Sequence, residues 1–175
     1  MSSLAITVSF LVNLWFASFC GVRAAMYEIA INSFEPNSKT DPAFMDYGTL
    51  RVAKKSRNLF VIAGEFEFFT NMDDSTKIVY EIFYGDNSKP LLSGETGFCE
   101  SLNHDTKVMR RLRELSNLPG TGVCPFPKGK YNINKYELDD SQLPLAIPAG
   151  KYTLSVVMIV ENEVKAGYKL YSTVS

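Results

Sequence analysis

Residues 124–157 read CPFPKGKYNINKYELDDSQLPLAIPAGKYTLSVV, and this stretch carries most of the information about the fold. Cys124, Pro125, Pro127, Gly129, Pro144, Pro148 and Gly150 fall within 27 residues. Proline fixes φ and removes a donor, while glycine admits φ > 0, so the segment consists of short extended pieces between forced turns. Tyr131–Tyr136 alternates bulky and polar side chains, the pattern of a half-buried strand. A Pro148-Ala149-Gly150 turn then delivers an already extended chain into a second strand opened by Lys151. There Tyr152, Leu154, Val156, Met158 and Val160 share one face. No catalytic group is concentrated here, so the stretch speaks of architecture.

Working outward, the same alternation recurs upstream. Over Asn58–Thr70 the side chains of Phe60, Ile62, Gly64, Phe66 and Phe68 fall on one face, and Val61, Ala63, Glu65 and Glu67 on the other. Gly64 interrupts an otherwise apolar row, where a missing side chain leaves room for a ligand. Lys77–Gly85 repeats the pattern with Ile78, Tyr80, Ile82 and Tyr84. The short polar turn Asn71–Ser75 between the two predicts an antiparallel hairpin. Further strands are expected over Met26–Phe34, at Leu50–Val52 and from Leu91. After the Glu161–Glu163 turn, Val164–Val174 runs back along the Tyr152–Val160 strand with Ala166, Tyr168, Leu170 and Ser172 on one side. A single helix is predicted over Ser101–Asn117, where Leu102, Val108, Met109, Leu112 and Leu115 make one stripe. Asp105 is its expected cap for the turn beginning at Thr106, and Leu118-Pro119-Gly120 stops it. Eight or nine short strands and one helix give a mainly all-β chain of two packed antiparallel sheets, immunoglobulin-like in architecture.

A chain of 175 residues, 46% hydrophobic and 13% aromatic, suits one globular domain. Its first residues differ from the rest. Leu4–Phe19 is uncharged, and Val22-Arg23-Ala24 offers small residues at the spacing a signal peptidase reads. A signal peptide over residues 1–24, a single domain over 25–175 and an extracellular location are therefore expected, with a retained anchor as the alternative. Removing Arg23 leaves 17 basic against 19 acidic residues, a charge of −2 that does not suit nucleic acid. Cys99 and Cys124 then remain. An even count in an oxidising compartment points to a disulfide, against two buried free thiols. His104 is the single histidine and no Cys-x-x-Cys occurs, so neither a metal nor a cofactor is expected. Glu65 and Glu67 could pair as acid and base, but a solvated strand face is the simpler reading. The basic turn Lys54-Lys55-Ser56-Arg57 is read as solvated, with contact to an anionic membrane surface as the alternative.

The ordered set Cys124, Pro125, Phe126, Gly129, Tyr131, Leu143, Pro144, Gly150 and Tyr152 resembles the ML lipid-recognition superfamily, the group of the ganglioside activators. It is equally similar to the insect CheB-type chemosensory family. Gly167 is followed by Tyr168 where the activators usually carry cysteine, so the resemblance extends to the fold rather than to the vertebrate partnership. What it implies is a splayed β-cup whose inner faces hold acyl chains. The side chains that would line it are Phe60, Gly64, Phe66, Phe68, Tyr80, Ile82, Leu154, Val156, Met158 and Tyr168. The implied protein is a secreted, non-enzymatic carrier of a lipid or other apolar small molecule. It would present that ligand to a receptor or enzyme partner, in the insect case in chemosensation. The competing expectation is a secreted adhesion or signalling module with a filled core.

Overall fold

The structure, a computed structural model, describes residues 27–57, 59–138, 143–144 and 146–175. The expected signal peptide lies outside the described residues. Nine strands are present among the described residues: β1 Ile29–Pro36, β2 Met45–Asp46, β3 Arg51–Lys54, β4 Phe60–Phe68, β5 Lys77–Tyr84, β6 Leu92–Gly97, β7 Gly129–Tyr136, β8 Gly150–Val160 and β9 Glu163–Val174. Two short helices, α1 Phe98–Asn103 and α2 Lys107–Glu114, lie between β6 and β7. The strands form two antiparallel sheets. One runs β1-β9-β8-β5-β6; the other is centred on β4, which pairs with β2, β3 and β7. This is the mainly all-β, two-sheet sandwich expected from the pattern.

The β8–β9 hairpin forms where the sequence places it. Glu161 (φ 52°) and Asn162 (φ 64°) make a two-residue connection with both central residues left-handed, the turn whose twist matches the flanking strands. Val160 faces Glu163, and the pairing runs on to Gly150 opposite Val174.

Two expectations are corrected. The hairpin between β4 and β5 does not form. β2 and β3 lie along one edge of β4 and β7 along the other, so β4 has no edge left for β5. β5 pairs with β6 and β8 instead. The Asn71–Ser75 segment therefore crosses between sheets, held by reciprocal backbone bonds of Met72 and Phe126 at 2.9 and 2.6 Å. The single helix is also two. His104 is extended (ψ 120°) and breaks it, and the cap of the second piece is Thr106, whose Oγ1 accepts from Met109 N at 3.1 Å. Arg113 donates back across the break to the carbonyl of Leu102 and, at 3.2 Å, to that of Pro119 beyond the helix.

The core is an aromatic cluster at the end where β4 finishes. Phe68 stands at its centre, with the rings of Phe44, Phe66, Phe98, Phe126 and Tyr131 between 5.5 and 6.4 Å away, mostly edge-on. Met45, Met72, Met158 and Ala166 complete it. Cys99 and Cys124 form a disulfide with Cα atoms 5.8 Å apart, which fastens α1 to the chain entering β7. Tyr47 donates to Gly167 O at 2.7 Å from within this core. Burial, then the neighbouring Tyr168, hold its phenol above the ordinary value.

Candidate functional site

Beyond the aromatic cluster, the inner face of the β5–β8–β9 sheet continues with apolar side chains that are only half-buried. The register places them in rows. Ile78, Met158 and Ala166 form the row that joins the core. Tyr80, Val156 and Tyr168 form the next, followed by Ile82, Leu154 and Leu170. Tyr84 and Tyr152 make the last. Because alternate residues of a strand share a face, the later rows look the same way as the core row. Met158 is 6% exposed, whereas Tyr80, Ile82, Leu154 and Val156 are all intermediate. The opposing sheet approaches this one at β1, through β3 and β4.

Tyr80 does not stand upright in the uncovered region. Across the ladder from it is Gly94, where a Cβ would sit 2.4 Å from the phenol oxygen, so the ring lies flat over β6. At the far edge the rings of Tyr84 and Tyr152 meet edge-on at 5.2 Å. Their hydroxyls donate to the carbonyls of Ala149 (3.0 Å) and Pro148 (2.8 Å), and Tyr27 donates to that of Pro144. Three phenols thus hold the chain entering β8 against the end of the sandwich. Burial followed by the proximity of Tyr84 raises the Tyr152 phenol. Leu92, opposite Ile82, is 54% exposed and extends the apolar face to the edge of the sheet; Leu91, just before the strand, is 67% exposed.

The ten side chains assigned to a cavity therefore divide. Phe66, Phe68 and Met158 belong to the packed core, and Tyr168 packs against it with Phe34 at 5.3 Å. Tyr80, Ile82, Leu154 and Val156 lie together on the half-covered face. Phe60 is half-buried at the start of β4, where Val61, at 1% exposure, is the sealed residue. The strict alternation expected for β4 fails at Gly64, where the pairing with β7 shifts register. Gly64 is the clear correction. Its φ is +130°, and a Cβ there would lie 2.3 Å from Thr49 O and 2.7 Å from Leu50 Cα. Its missing side chain accommodates a neighbouring backbone and leaves no room for a ligand. Glu65 is exposed and Glu67 half-buried. Leu92, which extends the face, was legible only as part of a strand expected from Leu91. Tyr84 and Tyr152 were placed on the right faces, but no signal in the sequence pointed to their hydroxyls binding the 148–149 carbonyls.

Among the described residues, the one grouping of potential metal ligands is Asp74, Cys99 and Cys124, and both of its sulfurs are joined in the disulfide. No curated protein matches the chain. Over residues 75–154, from the β4–β5 crossing to the first half of β8, the chain is similar to the family described as a protein of unknown function, DUF1091.

Proposed function

We propose that this protein is a secreted, non-enzymatic carrier that holds a lipid or other long-chain apolar molecule against the inner face of β5 and β8. The observation that carries this reading is the pair of partly exposed rows Tyr80–Val156 and Ile82–Leu154, which continue a sealed core without being sealed themselves. Apolar surface in that state gains about 0.8 kcal/mol for each ligand CH₂ it buries, so affinity needs no polar code. A disulfide linking Cys99 and Cys124 suits an oxidising, extracellular setting. The matched region, residues 75–154, includes most of this face, and it agrees with the arthropod chemosensory resemblance. On that reading the ligand is a hydrocarbon-rich signal molecule passed to a receptor or enzyme partner.

A second reading, a secreted adhesion or signalling module with a filled core, is favoured by the five rings packed around Phe68. One experiment separates the two. Disulfide-intact protein is titrated with a fluorescent long-chain fatty acid, alongside the variant Ile82→Asp. The carrier gives bright, saturable binding that unlabelled long-chain lipid displaces and Ile82→Asp abolishes while the variant still unfolds cooperatively. A probe that stays dark with the folded wild-type protein, and no long-chain lipid bound, leaves the filled-core module standing.

A further inference from the structure

An antiparallel sheet that faces water on one side carries apolar side chains inward and polar ones outward. The five-stranded sheet departs from that rule. Its inner side holds Met158 and Ala166 against the core. The side chains one residue out of step, on the outer side, include Val79, Phe83, Val157, Ile159 and Tyr171, all half-buried. On this side an open hollow of about 350 Å³ lies between Ser155 and Val157 of β8 and Glu35 and Asn37 of the first strand and its exit.

The register sets the outer side chains in rows with β8 in the middle. Val79, Val157 and Gly167 make one row, Glu81, Ser155 and Lys169 the next, and Phe83, Thr153 and Tyr171 the third. The rows continue to Glu95 and Ser93 on β6, and to Glu35 and Ser33 on β1. Glu81 and Lys169 thus stand on either side of Ser155. Among the described residues, neither forms an ion pair or a side-chain hydrogen bond.

We propose that a second copy of the chain docks on this face, sheet against sheet, about a two-fold axis lying along β8. Such an axis exchanges the two ends of every row. It puts β5 of one copy over β9 of the other and leaves β8 facing itself, an aligned packing of two sheets. Glu81 then meets Lys169 of the second copy, and does so twice, because each contact of an isologous interface is repeated. Phe83 meets Tyr171 in the same way, and Val79 lies over Gly167, which has no side chain to obstruct it. Thr153, Ser155 and Val157, the residues of these rows left on the axis, carry no charge. Farther out, Ser93 meets Glu35, and Glu95 meets the segment at Asn37, whose N–H donates to Gly167 O at 2.7 Å. No like charges are opposed in these rows. A solvated face has no need to be its own complement about β8, and a foreign partner gives no reason for it. The size is also sufficient. Five strands about 4.8 Å apart, rising about 3.4 Å per residue, give a face of about 24 by 30 Å, close to the roughly 800 Å² each partner contributes to a standard interface. The dimer does not rest on the carrier reading, since ligand and second copy use opposite faces of the sheet.

The test is sedimentation equilibrium of the disulfide-intact chain over a dilution series, which should show a reversible monomer–dimer equilibrium. Glu81→Lys sets lysine against lysine at two places and should weaken the dimer at least about tenfold; Lys169→Glu should do the same with paired carboxylates. An equimolar mixture of these two variants should dimerise again, because every charge then meets its opposite. The double variant Glu81→Lys, Lys169→Glu should also regain the dimer. Recovery in the mixture shows that both single variants are folded. Leu91→Lys, just before β6, should leave the dimer intact. A wild-type chain that stays monomeric at every soluble concentration leaves the face to some other partner and overturns the proposal. So does a dimer indifferent to both charge reversals, or a mixture of the folded variants that remains monomeric.

Discussion

At Gly64 and Tyr47 single atoms decide the outcome. A Cβ at position 64 meets the Thr49–Leu50 backbone, and φ of +130° is strained for any L side chain. Gly64→Ala should therefore lower the denaturation midpoint by the equivalent of about 1–3 kcal/mol or more. A Gly64→Ala protein as stable as wild type would show that the backbone there is not fixed as described. Sequence periodicity placed Gly64 correctly on β4 but could not report its φ, because the constraint comes from the detour between β2 and β3 on the neighbouring edge. Tyr47 was not singled out in the sequence at all; one tyrosine in a loop carries no periodic signal. Tyr47→Phe removes its bond to Gly167 O, which still accepts from Asn37 N at 2.7 Å, so the cost should be about 0.5–1.5 kcal/mol. The same variant should change the alkaline limb of the stability profile. A phenol raised in the folded state keeps its proton when the unfolded chain has lost it. Its contribution is complete below the ordinary value near 10 and declines as pH rises past it. Tyr47→Phe should flatten that decline in unfolding experiments at stepped pH, leaving the part due to Tyr168 and Tyr131.

Among the elements, pairs of local signals were legible and choices of partner were not. The β8–β9 hairpin has a two-residue turn with Asn162 in it, and the sequence is sufficient to find it. β4 and β5 looked like a hairpin by the same criteria. Their separation depends on β7, which lies beyond both helices in the chain, taking the edge that β5 would have used. The helix stripe was likewise real, with Leu102 packing on the core from α1, but periodicity alone does not reveal that His104 leaves the helical region. The disulfide between Cys99 and Cys124 closes a separation of 25 residues around both helices. A Cys99→Ser, Cys124→Ser double variant should lose about 3.5 kcal/mol on the loop-entropy account. Loss should be greatest in α1, read as faster amide exchange at Phe98–Asn103 than in β8. Uniform loss across both would mean that the bond constrains the whole chain and not this corner.

Across the whole molecule, the sandwich runs from a sealed aromatic end to a half-covered one, and β8 and β9 run through both. The alternating rows identified the inner face of β5 and β8, but not how far the opposing sheet would reach across it. Phe66 and Phe68 are core, while Ile82 and Leu154 stay partly exposed. The same incomplete cover has a consequence for handling the protein. β6 is the outer strand of its sheet; it begins at the exposed Leu92, and the residue before it, Leu91, is exposed as well. An outer strand with open backbone groups and bare apolar side chains invites a second molecule to add to it, and a formal charge of −1 supplies little repulsion. Concentrated solutions should thus become turbid most readily near the isoelectric pH of about 5.9. Leu91→Lys should raise the concentration at which light scattering begins, without changing the unfolding midpoint. Equal turbidity in the variant would place the adhesive surface elsewhere.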